Sequence, residues 1–174
     1  MKKIYVIQMN TKTIPSRFVS LFTMYKYGHV ALSLDEECNI TYSFGRRSLY
    51  SILNGGFVIE NKNGKFFNKF NNTNCRVYEV EVTEEQYNSL YETIENMMNN
   101  QDDYKYDYVG IILRYLKLPI TFKNKYVCSY FVAELLEKYD VCEFDKDPCF
   151  VKPKDFEKIV GFNEVYTGKY SLYK

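Results

Sequence analysis

A thiol and an imidazole are the side chains in this sequence best suited to covalent chemistry. Cys128 follows the polar, basic loop FKNKYV and begins the apolar-periodic segment CSYFVAELLEKY. A cysteine at a helix N-terminus faces the positive end of the helix dipole and unpaired N–H groups, which favour the nucleophilic thiolate. The Cys128 N–H also suits an oxyanion, and Ser129 is expected to cap the helix. The alternative is a buried free thiol, which is common in protein cores.

His29 is the only histidine of the chain, and therefore the only imidazole available to such a thiol. It lies at the start of GHVALSL, where alternation places His29, Ala31 and Ser33 on one face of a predicted strand. An imidazole removes the proton from a thiol or pairs, as imidazolium, with the thiolate. The alternative is a structural histidine with no chemical role.

The two candidates belong to different kinds of secondary structure. Alternating β-branched and aromatic residues predict strands at 3–9, 28–34, 40–44, 55–60 and 75–82, and the tail at 164–173 is compatible with another. Helical spacing predicts helices after a capping box at Thr83 and Gln86, at 106–118, at 128–139 and at 153–160. The order predicts an α+β fold, with an antiparallel sheet that carries His29 and segregated helices, one of which begins with Cys128.

Length and composition exclude several classes of protein. The 174 residues suit one domain over 1–174, and a formal net charge of +1 with dispersed basic residues gives no reason to expect a nucleic acid partner. With one histidine, no CxxC pair and no acidic cluster, we expect no metal and no organic cofactor. No segment is long enough for a transmembrane helix or has the apolar core of a signal peptide, which favours a reducing cytoplasm.

In its order of short motifs, this chain resembles the circularly permuted branch of the NlpC-type papain-like cysteine hydrolases, the YiiX-like group. The motifs are GHVALSLD, YSFGR at Tyr42–Arg46, GGFVIE at Gly55–Glu60, YDYVG at Tyr106–Gly110 and the late YVCSYFVAELL. In ordinary NlpC-type enzymes the cysteine helix precedes the histidine strand, and the permuted branch has the reverse order, as here. The resemblance covers residues 3 to 160 and rests on order and spacing together, because no single motif is specific.

The resemblance implies that the histidine strand lies against the N-terminus of the Cys128 helix. The family usually adds a third polar residue, which orients the imidazole, on the strand after the histidine strand. Here the first choice is Ser43 and the second is Tyr42, and Glu60 on the next strand is a substitute. Many relatives have a stronger orienting group than a serine at this position, so the third role is the weakest part of the match.

Tyrosines and arginines complete the set of candidate residues. Papain-like relatives often place a tyrosine near the nucleophile, where it helps to bind an oxyanion, and Tyr106 or Tyr108 would serve here. The alternative for each is a place in the apolar core. Arg46 and Arg47 would suit an anionic substrate group, although an exposed basic turn explains them as well.

The resemblance and the residues together predict a hydrolase or acyltransferase that attacks an amide, ester or thioester through a Cys–His site. A small molecule, a peptide or a lipid would be the substrate, and the sequence indicates no oligomeric state. One alternative is a catalytically inactive papain-like module that binds a peptide or lipid, which the weak third residue favours. Another is an interaction protein with an unrelated α+β fold. The distance between the Cys128 sulfur and the His29 ring distinguishes that alternative from the enzyme.

Overall fold

Strands predominate in the first half of the molecule and helices in the second. The structure, a computed structural model, describes residues 1–11, 25–48 and 54–174. The strands are β1 (Lys2–Asn10), β2 (His29–Ser33), β3 (Ile40–Arg46), β4 (Gly55–Asn61), β5 (Asn74–Val82), β6 (Lys105–Tyr106), β7 (Lys125–Tyr126) and β8 (Phe162–Lys169). The α-helices of the described ranges are α1 (Lys65–Lys69), α2 (Glu84–Asn99), α3 (Tyr108–Tyr115) and α4 (Cys128–Lys138). The predicted α+β class is confirmed.

The eight strands form one sheet in the order β7–β6–β4–β3–β2–β1–β5–β8. Strand β1 is central and pairs antiparallel with β2 on one side and β5 on the other. The other neighbours are also antiparallel, except that β6 and β7 pair in parallel, with Lys105 opposite Lys125 and Tyr106 opposite Tyr126. This exception brings together the two segments of chain that lead into α3 and α4.

Alternation along the strands produces an apolar core on each face of the sheet. On one face, Val30 and Leu32 of β2 pack with residues of α2 and α4, among them Leu90, Phe131 and Val132. On the other face, Ala31 of the same strand packs with a second cluster that includes Phe67, Cys75 and Tyr170. Because both faces of β2 are buried, its position and that of His29 at its start are fixed from two sides.

Local sequence signals explain where the helices begin and end. Thr83 and Gln86 form the predicted capping box of α2. The helix predicted over 106–118 is shorter, because Tyr106 belongs to β6 and the helix begins after Asp107, whose side chain accepts a hydrogen bond from the Gly110 N–H at 2.9 Å. The helix predicted over 153–160 is a 3₁₀ helix at Pro153–Lys158. Further 3₁₀ helices lie at Gln101–Asp103, Pro148–Phe150 and Tyr170–Leu172.

Candidate active site

Cys128 is the first residue of α4, and 5% of its surface is exposed. Among the residues that the structure describes, no side chain caps the start of this helix. The expectation that Ser129 is the cap is wrong, because its hydroxyl donates to the Val151 carbonyl at 2.7 Å. The first N–H groups of α4 therefore remain available to the Cys128 sulfur and to a negative charge formed beside it.

The Cys128 thiol and the His29 imidazole lie close enough for each to shift the pKa of the other. Burial opposes a thiolate, but the imidazole and the backbone N–H groups of Val30 and Ser129 outweigh it, and the pKa of Cys128 is lowered. Burial likewise opposes a charged imidazole, but Cys128 and Glu60 outweigh it and raise the pKa of His29. Both directions favour the thiolate–imidazolium form of the pair.

Two oxygen atoms face the Nε2 atom of His29. Ser43 Oγ lies 3.1 Å away, and Glu60 Oε2 lies 3.6 Å away. The Ser43 hydroxyl donates its proton to the Val30 carbonyl at 2.9 Å, so its oxygen acts as an acceptor toward the imidazole N–H. Since Nε2 is occupied on this side, Nδ1 is the ring nitrogen left to exchange a proton with Cys128.

Glu60, which the sequence offered only as a substitute for the third residue on the neighbouring strand, lies next to the imidazole. Its side chain is 12% exposed, and its buried Oε2 atom has no hydrogen-bonding partner among the described residues. A buried carboxylate oxygen without a donor is costly, so the charged imidazole is the group that stabilises it. The register of β3 with β4 explains the proximity, because it pairs Thr41 with Glu60 and Ser43 with Val58, which places Glu60 and Ser43 on one face.

The tyrosines predicted to take part in the site lie at different positions relative to His29 and Cys128. Tyr42 lies on the face of β3 opposite to Ser43 and stacks on Phe57 with ring centroids 6.4 Å apart, so the structure does not bring it to His29. Tyr106 lies near the thiol: burial, followed by the charge of Cys128, raises the pKa of its hydroxyl. The ring of Tyr108 is 4.8 Å from that of Tyr106, at the more exposed end of the pair. Tyr106 is therefore the better placed of the two predicted oxyanion tyrosines.

A buried ion pair, which the sequence analysis missed, lies close to the same tyrosine. Asp107 Oδ2 accepts from Arg114 Nη2 at 2.7 Å, and the Arg114 guanidinium lies 5.2 Å from the centroid of the Tyr130 ring. The spacing of seven residues between Asp107 and Arg114 is compatible with one helix face, but their burial could not be read from sequence. The pair fixes the start of α3 beside Tyr106.

Arg46 and Arg47, the arginines predicted to suit an anionic substrate group, make different contacts. Arg47 joins the end of β3 to the 3₁₀ helix before β6: it donates to the carbonyls of Gln101 and Tyr104 and pairs with Asp102 at 3.2 Å. This role is structural. Arg46 is partly buried and close enough to Tyr108 to lower the pKa of its hydroxyl, although burial raises that pKa overall. Arg46 is therefore the arginine of the two that lies toward the candidate site.

The other four cysteines lack the surroundings of Cys128. Burial raises the pKa of Cys38, Cys75 and Cys142 to about 12. Burial, followed by the hydrogen bond and the charge of the Asp147 carboxylate, raises the pKa of Cys149 to about 11. All five thiols are free in the structure, and Cys128 is the one whose pKa is lowered. The surroundings that separate Cys128 from the rest are its imidazole and N–H donors.

Little of the Cys128 side chain reaches solvent, and the cavity beside α4 does not include it. A cavity of about 460 Å³ lies between α2 and α4, but its lining, which includes Tyr104, Tyr126 and Glu134, contains neither Cys128 nor His29.

Within the described ranges, no group of three or more His, Cys, Asp or Glu side chains is arranged to hold a metal ion. In the same part of the chain, no helix has the length and apolar character needed to cross a membrane.

No protein-family model matches the sequence, and no curated protein matches it either. The similarity to the permuted NlpC-type branch therefore stays a prediction. A function has to be inferred from the geometry and electrostatics of the site itself.

Proposed function

We propose that this protein is a cysteine hydrolase or acyltransferase that acts on an amide, ester or thioester bond. Cys128 is the nucleophile and His29 the general acid and base, in the permuted NlpC-type order of histidine strand before cysteine helix. One observation carries the proposal: the thiol at the start of α4 and the imidazole, whose Nε2 atom lies 3.1 Å from Ser43 Oγ, each shift the pKa of the other toward the charged form. Two segments about a hundred residues apart in the sequence converge on this contact.

The first half-reaction forms a thioester. The Cys128 thiolate attacks the carbonyl carbon, a C–S bond forms, and the electron pair of the carbonyl π bond moves to the oxygen. The N–H of Cys128 at the start of α4 and the Tyr106 hydroxyl stabilise this oxyanion. The carbonyl then re-forms, the bond to the leaving nitrogen, oxygen or sulfur breaks, and the His29 imidazolium gives its proton to the leaving group.

The second half-reaction restores the enzyme. Neutral His29 removes a proton from water or from another acceptor, and the acceptor oxygen or nitrogen attacks the thioester carbonyl. Collapse of the second tetrahedral intermediate breaks the C–S bond and releases the acid or the transferred acyl product. The thiolate and imidazolium are both regenerated, so no cofactor enters the balance.

Ser43 and Glu60 support this cycle through the imidazole. Ser43 accepts from Nε2–H and thereby orients the ring, and the Glu60 carboxylate stabilises the positive charge that His29 carries between proton transfers. A hydroxyl and a carboxylate at one nitrogen provide the orienting function that the serine alone supplies weakly. Both are positioning residues, because they act on the reacting atoms through His29.

A catalytically inactive module that binds a peptide or lipid is the second candidate. The observation that favours it is the limited exposure of the pair, because 5% of Cys128 and 15% of the His29 side chain reach solvent. In that case the thiol would be protected from reagents as well as from substrates.

Alkylation with iodoacetamide at neutral pH, followed by peptide mapping of all five thiols, distinguishes the two candidates. We expect Cys128 to react about a hundredfold faster than the others, because only its thiolate is favoured. Cys149→Ala is the matched control, since Cys149 is also buried but has a raised pKa, and this variant should leave Cys128 labelling unchanged. Equal, slow labelling of every thiol would contradict the enzyme and support the inactive module.

A further inference from the structure

The surface next to the candidate site is unusually apolar for an exposed segment. Helix α3 and the loop that follows it expose large apolar side chains, which we call the apolar face: Val109, Ile112, Tyr115, Leu116, Leu118 and Ile120. Ile112 is 63% exposed and Tyr115 is 74% exposed. Scattered single apolar residues are ordinary on protein surfaces, whereas a contiguous series such as this one marks an interaction site.

Every exposed charged side chain between positions 105 and 125 is positive. Lys105, Lys117, Lys123 and Lys125 flank it, and all four are exposed. The Lys125 ammonium group lies 5.3 Å from the ring centroid of Phe122, which places this charge at the end of the apolar series. The only acidic residue between positions 105 and 125 is Asp107, which is buried and neutralised by Arg114. This region is strongly basic in a protein whose formal net charge is only +1.

We propose that the apolar face is a docking surface for an anionic lipid membrane. Apolar side chains enter the boundary between headgroups and acyl chains, while lysines at the rim pair with anionic headgroups. A second copy of the chain fits this surface less well. A twofold contact brings the same patch of each copy together, so the lysines of one copy would face those of the other. Like charges facing each other without acidic partners oppose such a dimer.

Docking by the apolar face would place the candidate active site at the lipid surface. Tyr108 at the start of α3 packs against Tyr106, which lies near Cys128. The base of this segment is also fixed to the site, since the Asp107 N–H donates to the Tyr126 carbonyl at 2.9 Å, two residues before the thiol. Docking itself does not depend on catalysis, so it can be tested with a variant that has no nucleophile.

The test is co-sedimentation of the full-length Cys128→Ser protein with vesicles of phosphatidylcholine alone or with added phosphatidylserine. We expect binding to the phosphatidylserine vesicles and much weaker binding to phosphatidylcholine. Ile112→Glu should reduce binding about tenfold or more, because it places a carboxylate in the apolar layer. Lys117→Glu and Lys123→Glu should each reduce it about fivefold or more, with further loss as salt is added.

Two matched controls separate docking from general surface effects. Val160→Glu changes a residue that is 96% exposed outside the apolar face, and Lys154→Glu reverses an exposed charge outside it. Both should bind vesicles as the parent does.

Absence of binding to phosphatidylserine vesicles would overturn the proposal, as would equal binding to both lipids. A concentration-dependent dimer that Ile112→Glu dissociates, without vesicle binding, would assign the face to a second copy and also overturn it. None of these results bears on alkylation of Cys128 in the unsubstituted protein, so the two proposals fail separately.

Discussion

Two buried pairs of interacting side chains lie near Tyr106, and they differ in how their members are held. Asp107 and Arg114 form one pair, and Cys128 and His29 form the other. The Asp107 carboxylate accepts a hydrogen bond from the Arg114 guanidinium at 2.7 Å, whereas Cys128 and His29 each shift the pKa of the other. Asp107 also caps α3, while Cys128 begins α4 without a side-chain cap among the described residues.

Both pairs are buried, but their surroundings suit different roles. In the Asp107–Arg114 pair, one carboxylate oxygen accepts from the capping Gly110 N–H and the other from the guanidinium. In the Cys128–His29 pair, the imidazole and backbone N–H groups lower the pKa of the thiol, and the proposed function uses the resulting thiolate as its nucleophile. We therefore expect substitutions in the first pair to change stability and those in the second to change reactivity.

The largest expected effect is on folding. Asp107→Ala should lower the free energy of unfolding by about 3–5 kcal/mol, because it leaves a buried guanidinium without its partner. Arg114 has little to compensate with, since its Nε and Nη1 atoms already lack partners within the described residues. Urea denaturation measures the change. Asp102→Ala is the control, because Asp102 also pairs with an arginine but is fully exposed. Equal midpoints for the two variants would show that the Asp107 pair does not stabilise the fold.

The second expected effect is on thiol reactivity. His29→Ala should slow alkylation of Cys128 at pH 7 about a hundredfold. Burial remains when the imidazole is removed, so the pKa of Cys128 rises, the thiolate fraction at neutral pH falls, and the rate recovers only in alkaline solution. The rate of carbamidomethylation against pH measures this shift. Tyr42→Phe, on the opposite face of the neighbouring strand, should leave the profile unchanged. An unchanged pH profile in His29→Ala would show that the imidazole does not affect the ionisation of the Cys128 thiol.

The smallest expected effects separate the two groups at His29 Nε2. Glu60→Gln removes the negative charge that helps to raise the pKa of His29, so the imidazolium stabilises the thiolate less. The rise of the Cys128 alkylation rate with pH should then move to higher pH, with a rate loss of about tenfold at pH 7. Ser43→Ala removes one neutral hydrogen bond and should reduce the alkylation rate only a few-fold, without moving the pH profile. The reverse order of effects would make Ser43, and not Glu60, the main partner of the imidazole.

The sequence predicted those parts of the fold that local patterns determine. Strand β5 was expected at 75–82 and spans Asn74–Val82, and the capping box at Thr83 sets the start of α2. The expected start of the third predicted helix at Cys128 is also correct, because apolar periodicity begins there after a polar loop. Such elements need only information carried by neighbouring residues, whether alternation, a cap or a change of period.

Features set by tertiary contacts could not be predicted in this way. Tyr106 was predicted to begin the helix over 106–118, yet pairing with Tyr126 makes it part of a strand. Such short strands have no sequence period of their own. The importance of Glu60 depends on strand register, which fixes the face on which it lies, and GGFVIE carries no alternation that reveals that face.

The parallel pairing of β6 with β7 holds the two ends of one long segment of the chain side by side. The Lys105 N–H donates to the Asn124 carbonyl, and the Asp107 N–H donates to the Tyr126 carbonyl, so residues 108–124 leave and rejoin the sheet at almost one point. Insertions or replacements after Arg114, in residues 115–124, would alter what the protein touches while keeping the Asp107–Arg114 pair and the start of α4 in place. Changes in this one loop would therefore give new contacts without changing the proposed nucleophile.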